Sequence, residues 1–92
     1  MNTIDLNALA NKIALICPVL IESVSEQMIT VKGRIMPYRL YMEFRNNVPV
    51  LQIDLYNHDL KSEIEDEVNH ILSVFYLYMI ENVHVNYLNL TY

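Results

Sequence analysis

Glu67-Val68-Asn69-His70 has the spacing of the E-x-x-H ligand pair of carboxylate-bridged metal sites, which need inward-pointing ligands from several helices. At about 100° per residue, Glu67 flanks the apolar stripe of its helix and His70 points well outside it. Because His70 lies off that stripe, no metal centre is expected, and His70 is assigned as an exposed i, i+4 partner of Asp66. Cys17 falls on the apolar stripe of another helix, whereas an activated thiolate needs a positive, partly exposed setting. It reads as a small buried hydrophobe. No spacing joins His58, His70 and His84, and a single glycine, Gly33, excludes a glycine-rich phosphate loop. No catalytic residue and no cofactor is expected, and the chain reads as a non-enzyme.

The strongest local feature is the acidic run Glu63-Ile64-Glu65-Asp66-Glu67. Carboxylates gather in the first turns of a helix because the free N–H groups and the macrodipole favour negative charge there. Spaced carboxylates can also stand in for phosphates before a basic surface. Residues 1–57 carry five basic and five acidic groups, while residues 58–92 carry Lys61 against six acids, which is the whole net charge of −5. Asp59, Glu63, Glu65, Asp66 and Glu67 are therefore the candidate partner-binding residues, for a protein partner with a basic nucleic-acid-binding surface.

A third candidate chemistry lies on a strand face. Arg39, Tyr41, Arg45 and Tyr56 would share one side of a sheet, with Lys32 and Arg34 near a hairpin tip. Basic residues interleaved with aromatics suit stacking on single-stranded nucleic acid. Glu43 and Asp54 on the same face, and the negative total, weigh against direct nucleic-acid binding.

Ninety-two residues make one domain, residues 1–92, and 53% apolar with 18% charged residues predicts a folded chain with an interface. Leu6, Leu9, Ala10, Ile13, Ile16 and Cys17 recur at helical spacing, so a first helix should run from about Asp5 to Ile16, capped by Thr3 or Asp5 and ended by Pro18. Residues 19–27 fit either a kinked continuation or a strand. Met28 to Lys32, Met36 to Arg45 and Val48 to Tyr56 alternate with period two and read as strands.

If Asn46-Asn47 is a two-residue turn, Phe44 faces Pro49, Met42 faces Leu51, Leu40 faces Ile53 and Tyr38 faces Leu55 on an apolar side. The other side then pairs Glu43 with Val50, Tyr41 with Gln52 and Arg39 with Asp54. A turn at Gly33-Arg34 would place Val31 opposite Met36 and Ile29 opposite Tyr38. A second helix should start near His58, capped by Asn57, Asp59 or Ser62, bury Leu60, Ile64, Val68, Ile71 and Phe75, and stop at Asn82. Val83 to Thr91 alternates like a closing strand. The predicted class is α+β, with an N-terminal helix, a three-stranded antiparallel meander and a long second helix on one sheet face, ordered αβββα or αβββαβ.

Over roughly Asp5 to Ile80 that order resembles the topology of double-stranded RNA-binding domains. In that family the start of the second helix carries lysines for the phosphates; here Glu63, Glu65, Asp66 and Glu67 occupy that region. The field has the opposite sign, so the resemblance does not imply the activity.

The last twenty residues, Ser73 to Tyr92, hold four of the seven tyrosines and one charge, Glu81. Apolar side chains surround the helix from Ile71 to Ile80, and a helix apolar all round is buried all round. Val74, Tyr76, Leu77, Ile80 and Tyr87 are thus the candidate self-association or client surface, and a homodimer is expected. The longest uncharged run falls far short of the roughly 18 residues of a membrane helix. With a lone cysteine and no basic-apolar leader, the expectation is a cytoplasmic protein. Size, acidity and absent catalytic equipment fit a phage-type inhibitor of a nucleic-acid-handling host defence complex, of the anti-CRISPR or anti-restriction sort. The alternative is a dimeric adaptor or secretion-chaperone-like module that binds peptides.

Overall fold

The computed structural model describes residues 5–44 and 48–88. Helix α1 (Leu6–Ile16) leads into strands β1 (Val19–Val24), β2 (Met28–Gly33), β3 (Tyr38–Glu43) and β4 (Val50–Leu55). A 3-10 turn at His58–Leu60, helix α2 (Lys61–Leu77) and strand β5 (His84–Leu88) follow. The fold is α+β, as expected. Its sheet has five strands in the order β1-β2-β3-β4-β5; the first four form an antiparallel meander, and β5 lies parallel to β4 after the α2 crossover. The order is therefore αββββαβ, one strand more than the topology of the double-stranded RNA-binding domain at each end of the meander-and-helix unit.

Asp5 caps α1, its Oδ1 accepting from the N–H groups of Asn7 and Ala8 at 3.1 and 3.2 Å. Leu6, Leu9, Ala10, Ile13 and Cys17 are buried, whereas Ile16 is exposed. Residues 19–24 are a strand, closed into a hairpin by Ser25, whose Oγ accepts from the Met28 N–H at 3.1 Å. The β3–β4 register pairs Tyr38 with Leu55, Leu40 with Ile53, Met42 with Leu51, Arg39 with Asp54, Tyr41 with Gln52 and Glu43 with Val50, as the alternation predicts. The Asn46-Asn47 turn lies outside the described residues.

The β2–β3 register differs from the expected one. Val31 pairs with Leu40 and Ile29 with Met42, because no tight turn forms at Gly33-Arg34. The Arg34 N–H donates to the Pro18 carbonyl at 2.9 Å, which draws the chain toward β1. Pro37, just before β3, has no N–H to join a ladder. The offset is an even number of residues, so Ile29 and Val31 keep their face. They join Tyr38, Leu40, Met42, Leu51, Ile53 and Leu55 in a core roofed by α1 and by Ile64, Val68, Ile71, Val74 and Phe75 of α2.

Helix α2 begins later and ends earlier than expected. Asn57 caps the 3-10 turn, its side chain accepting from the Asp59 N–H at 3.0 Å, and the α-helix proper starts at Lys61. At the far end the Ile80 N–H donates to the Phe75 carbonyl at 3.0 Å and the Met79 N–H to the Tyr76 carbonyl at 3.0 Å. That bond pair, with Met79 at φ 60°, is a Schellman motif. It ends the helix before Asn82, itself at φ 59°, and turns Ile80 back into the core beside Phe75. Methionine holds a left-handed position that glycine occupies at least cost. Since the Met79 side chain is 91% exposed, Met79→Gly should raise the unfolding free energy by about 1 kcal/mol in urea titrations, with no loss of packing.

Candidate protein-interaction surfaces

The five candidate acidic side chains point in three directions. Glu63 and Asp66 are exposed and three apart on α2, so they share one outward side, with exposed Asp59 in the preceding turn. Glu65 lies toward β5: its charge is felt by Tyr87, over whose ring the Lys61 ammonium sits at 5.1 Å. Burial first and Glu65 second push the Tyr87 phenol up to about 12. Glu67 turns inward and is half-buried.

The partner of Glu67 is Tyr38, whose side chain is 1% exposed and whose hydroxyl donates to Glu67 Oε1 at 2.6 Å. Burial first, then this hydrogen bond, raises the Tyr38 phenol far above its ordinary value. Burial also pushes the adjacent Cys17 thiol up, with the Glu67 charge adding to the effect. This bond ties β3 to α2, so Glu67 belongs to the core lining and not to an outward acidic face. The sequence held a signal for it: a tyrosine on an otherwise apolar strand face brings a hydroxyl that must be satisfied when buried. With Glu67 turned to Tyr38 and His70 exposed, the E-x-x-H pair diverges. Among the described residues no three His, Cys, Asp or Glu side chains gather where they could hold a metal ion.

The expected apolar surface divides as well. Val74 and Ile80 are buried within the chain, Ile80 by the turn after α2, so they are core residues and not a client surface. Tyr87 is half-buried against the same core. Tyr76 and Leu77, at 62% and 68% exposure, remain outside with Tyr78 and Met79. The helix is apolar all round there without being buried all round, because it stops at Leu77 before the sheet or β5 can cover its outer side.

On the open face of the sheet, Arg39 is held by Glu22, with Nε to Oε1 at 2.7 Å and an η nitrogen to Oε2 at 3.2 Å. The bridge spans β2 and commits the guanidinium to a carboxylate; the cross-strand register with Asp54 also stands. Tyr41 is half-buried and lines a shallow cleft with Met28, Glu43 and Gln52, and Tyr56 is exposed. Arg45 lies outside the described residues. Thus Arg39, Tyr41 and Tyr56 do not form a free basic-aromatic row.

No described helix is long and apolar enough to cross a membrane. No family model, curated protein or solved structure matches the chain.

Proposed function

We propose that the chain is a non-catalytic protein-binding module that acts by covering a basic surface of its partner with the outward acids of α2. One observation carries the reading: Asp59, Glu63 and Asp66 are exposed together along the start of the helix, while Lys61, the one cation of that segment, is turned away onto Tyr87. Negative charge so displayed attracts a surface built for phosphates, and it does so at long range and in a salt-dependent way. The concrete form is an inhibitor, phage-type, of a nucleic-acid-handling host defence complex, at work in the host cytoplasm.

The test is capture of the partner on the immobilised chain, followed by competition with duplex DNA. Asp59→Lys, Glu63→Lys and Asp66→Lys together should lower affinity at least about a hundredfold at low salt and leave the circular dichroism unchanged. Undiminished capture would sink the electrostatic mechanism. Exposed Tyr76 and Leu77 favour the second reading, a dimeric adaptor or peptide-binding module. Leu77→Asp in the same assay separates the two, since it should matter only to the second.

A further inference from the structure

The two edges of the sheet are built differently. Edge strand β1 has a register irregularity between Ile21 and Ser23, and it carries Glu22 beside that break. Bulges and charges are how natural sheets keep an edge from pairing with another chain. Edge strand β5, His-Val-Asn-Tyr-Leu, has no carboxylate, lysine, arginine, proline or bulge, and its register with β4 runs unbroken from His84 to Leu88. Nothing among the described residues covers its outer side.

The hydrogen-bond phase of β5 fixes what the open edge offers. The His84 N–H donates to the Pro49 carbonyl at 2.9 Å, so His84, Asn86 and Leu88 direct their backbone groups toward β4. The N–H and C=O groups of Val85 and Tyr87 therefore point outward. An identical strand laid antiparallel with Asn86 opposite Asn86 matches them: Val85 and the second copy's Tyr87 exchange both backbone bonds, and so does the reciprocal pair. That register gives four hydrogen bonds. On the helix side it also sets each half-buried Val85 against a half-buried Tyr87, a favourable β-branched–aromatic cross-strand pair.

Charge decides for a second copy over a foreign strand. The chain carries a net charge of −5, yet the segment that would touch its copy is neutral. The two-fold axis of an antiparallel pair stands normal to the sheet and places the two α2 helices side by side on the same face, running oppositely. Their flanks above β5 hold Lys61 and Glu65 at one end and Leu72 and Tyr76 at the other, by helical spacing. Because Lys61 sits over Tyr87, one residue from the axis at Asn86, the charged ends of the two flanks lie nearest one another, and each brings one Lys61 and one Glu65, so opposite signs meet there and no net charge accumulates.

We propose that β5 is a self-pairing edge, through which two copies join their sheets into one of ten strands centred on Asn86. The inference is independent of the acidic-face reading, since β5 shares no residue with Asp59, Glu63 or Asp66. Sedimentation equilibrium of the intact chain should give twice the 10.8 kDa monomer mass. Asn86→Lys, which sets two ammonium groups opposite each other at an exposed position, should return the monomer with unchanged circular dichroism. Asn86→Cys should oxidise to a covalent dimer, because facing Cα atoms at a non-hydrogen-bonded pair are about 4.5 Å apart. His84→Cys should not, its two copies lying about 13 Å apart along the strands. A monomeric native chain overturns the proposal. A dimer that survives Asn86→Lys, or cross-links equally through residue 84, also overturns it and puts the contact elsewhere.

Discussion

Gly33→Ala is expected to lower the unfolding free energy by about 3 kcal/mol in a urea titration, though it adds a single methyl group. Gly33 does not have a positive φ, so the loss does not come from backbone conformation. It comes from space: a Cβ there would overlap the Met36 carbonyl oxygen and stand 2.6 and 2.8 Å from Cε2 and Cδ2 of Tyr38. Neither neighbour yields cheaply. The Met36 carbonyl belongs to the peptide that joins Pro37, whose φ is fixed, and the Tyr38 ring is held at its far end by Glu67. Gly33 closes β2 against Val19, so any retreat also loosens the β1 edge. A loss below about 1 kcal/mol would show that residues 34–37 move aside freely and are not tightly packed against Gly33.

The same segment shows where the sequence was readable and where it was not. Strands β3 and β4 could be aligned residue by residue because each alternates and both faces had to agree. For β2 against β3 the alternation is blind to any even shift, since pairing Val31 with Met36 or with Leu40 buries the same side chains. Only the Arg34 to Pro18 bond, a tertiary contact, selects the longer connection. Residues 19–24 were ambiguous for a related reason: Glu22 and Ser23 both face out around the irregularity in β1, and that break erases the period-two signal. The end of α2 was misplaced because methionine at the left-handed position gives no compositional cue, whereas Asn82 does.

Of the candidate surfaces, the outward position of Glu63 and Asp66 follows from helical spacing alone. The inward turn of Glu67 depends on Tyr38, twenty-nine residues away. A run of carboxylates read in one dimension therefore looks like a single face, and three dimensions remove one member to the core and another to the β5 edge.

Tyr38→Phe should cost about 2 kcal/mol, because it strips a half-buried carboxylate of a 2.6 Å hydrogen bond while leaving the ring in place. Glu67→Ala should cost a similar amount by orphaning the hydroxyl. The double variant should cost clearly less than the sum, since with both gone nothing polar is left unpaired. Strict additivity would mean that the bond contributes nothing. Alkaline titration supplies an independent readout. The folded chain keeps the Tyr38 proton at pH values where the unfolded chain, with its ordinary value of 10, gives it up. The contribution is thus fully present below pH 10 and is lost as pH rises beyond it. Tyr38→Phe should make that decline shallower, not abolish it, because Tyr87, pushed up to about 12, still contributes. If the alkaline slope is unchanged in the variant, the buried phenol is not the group that holds the proton. Because Glu67 is so engaged, reversing it to lysine would damage the fold along with any binding face. The charge-reversal set that tests partner binding is accordingly Asp59, Glu63 and Asp66, and a loss of binding confined to those three reports on the surface alone.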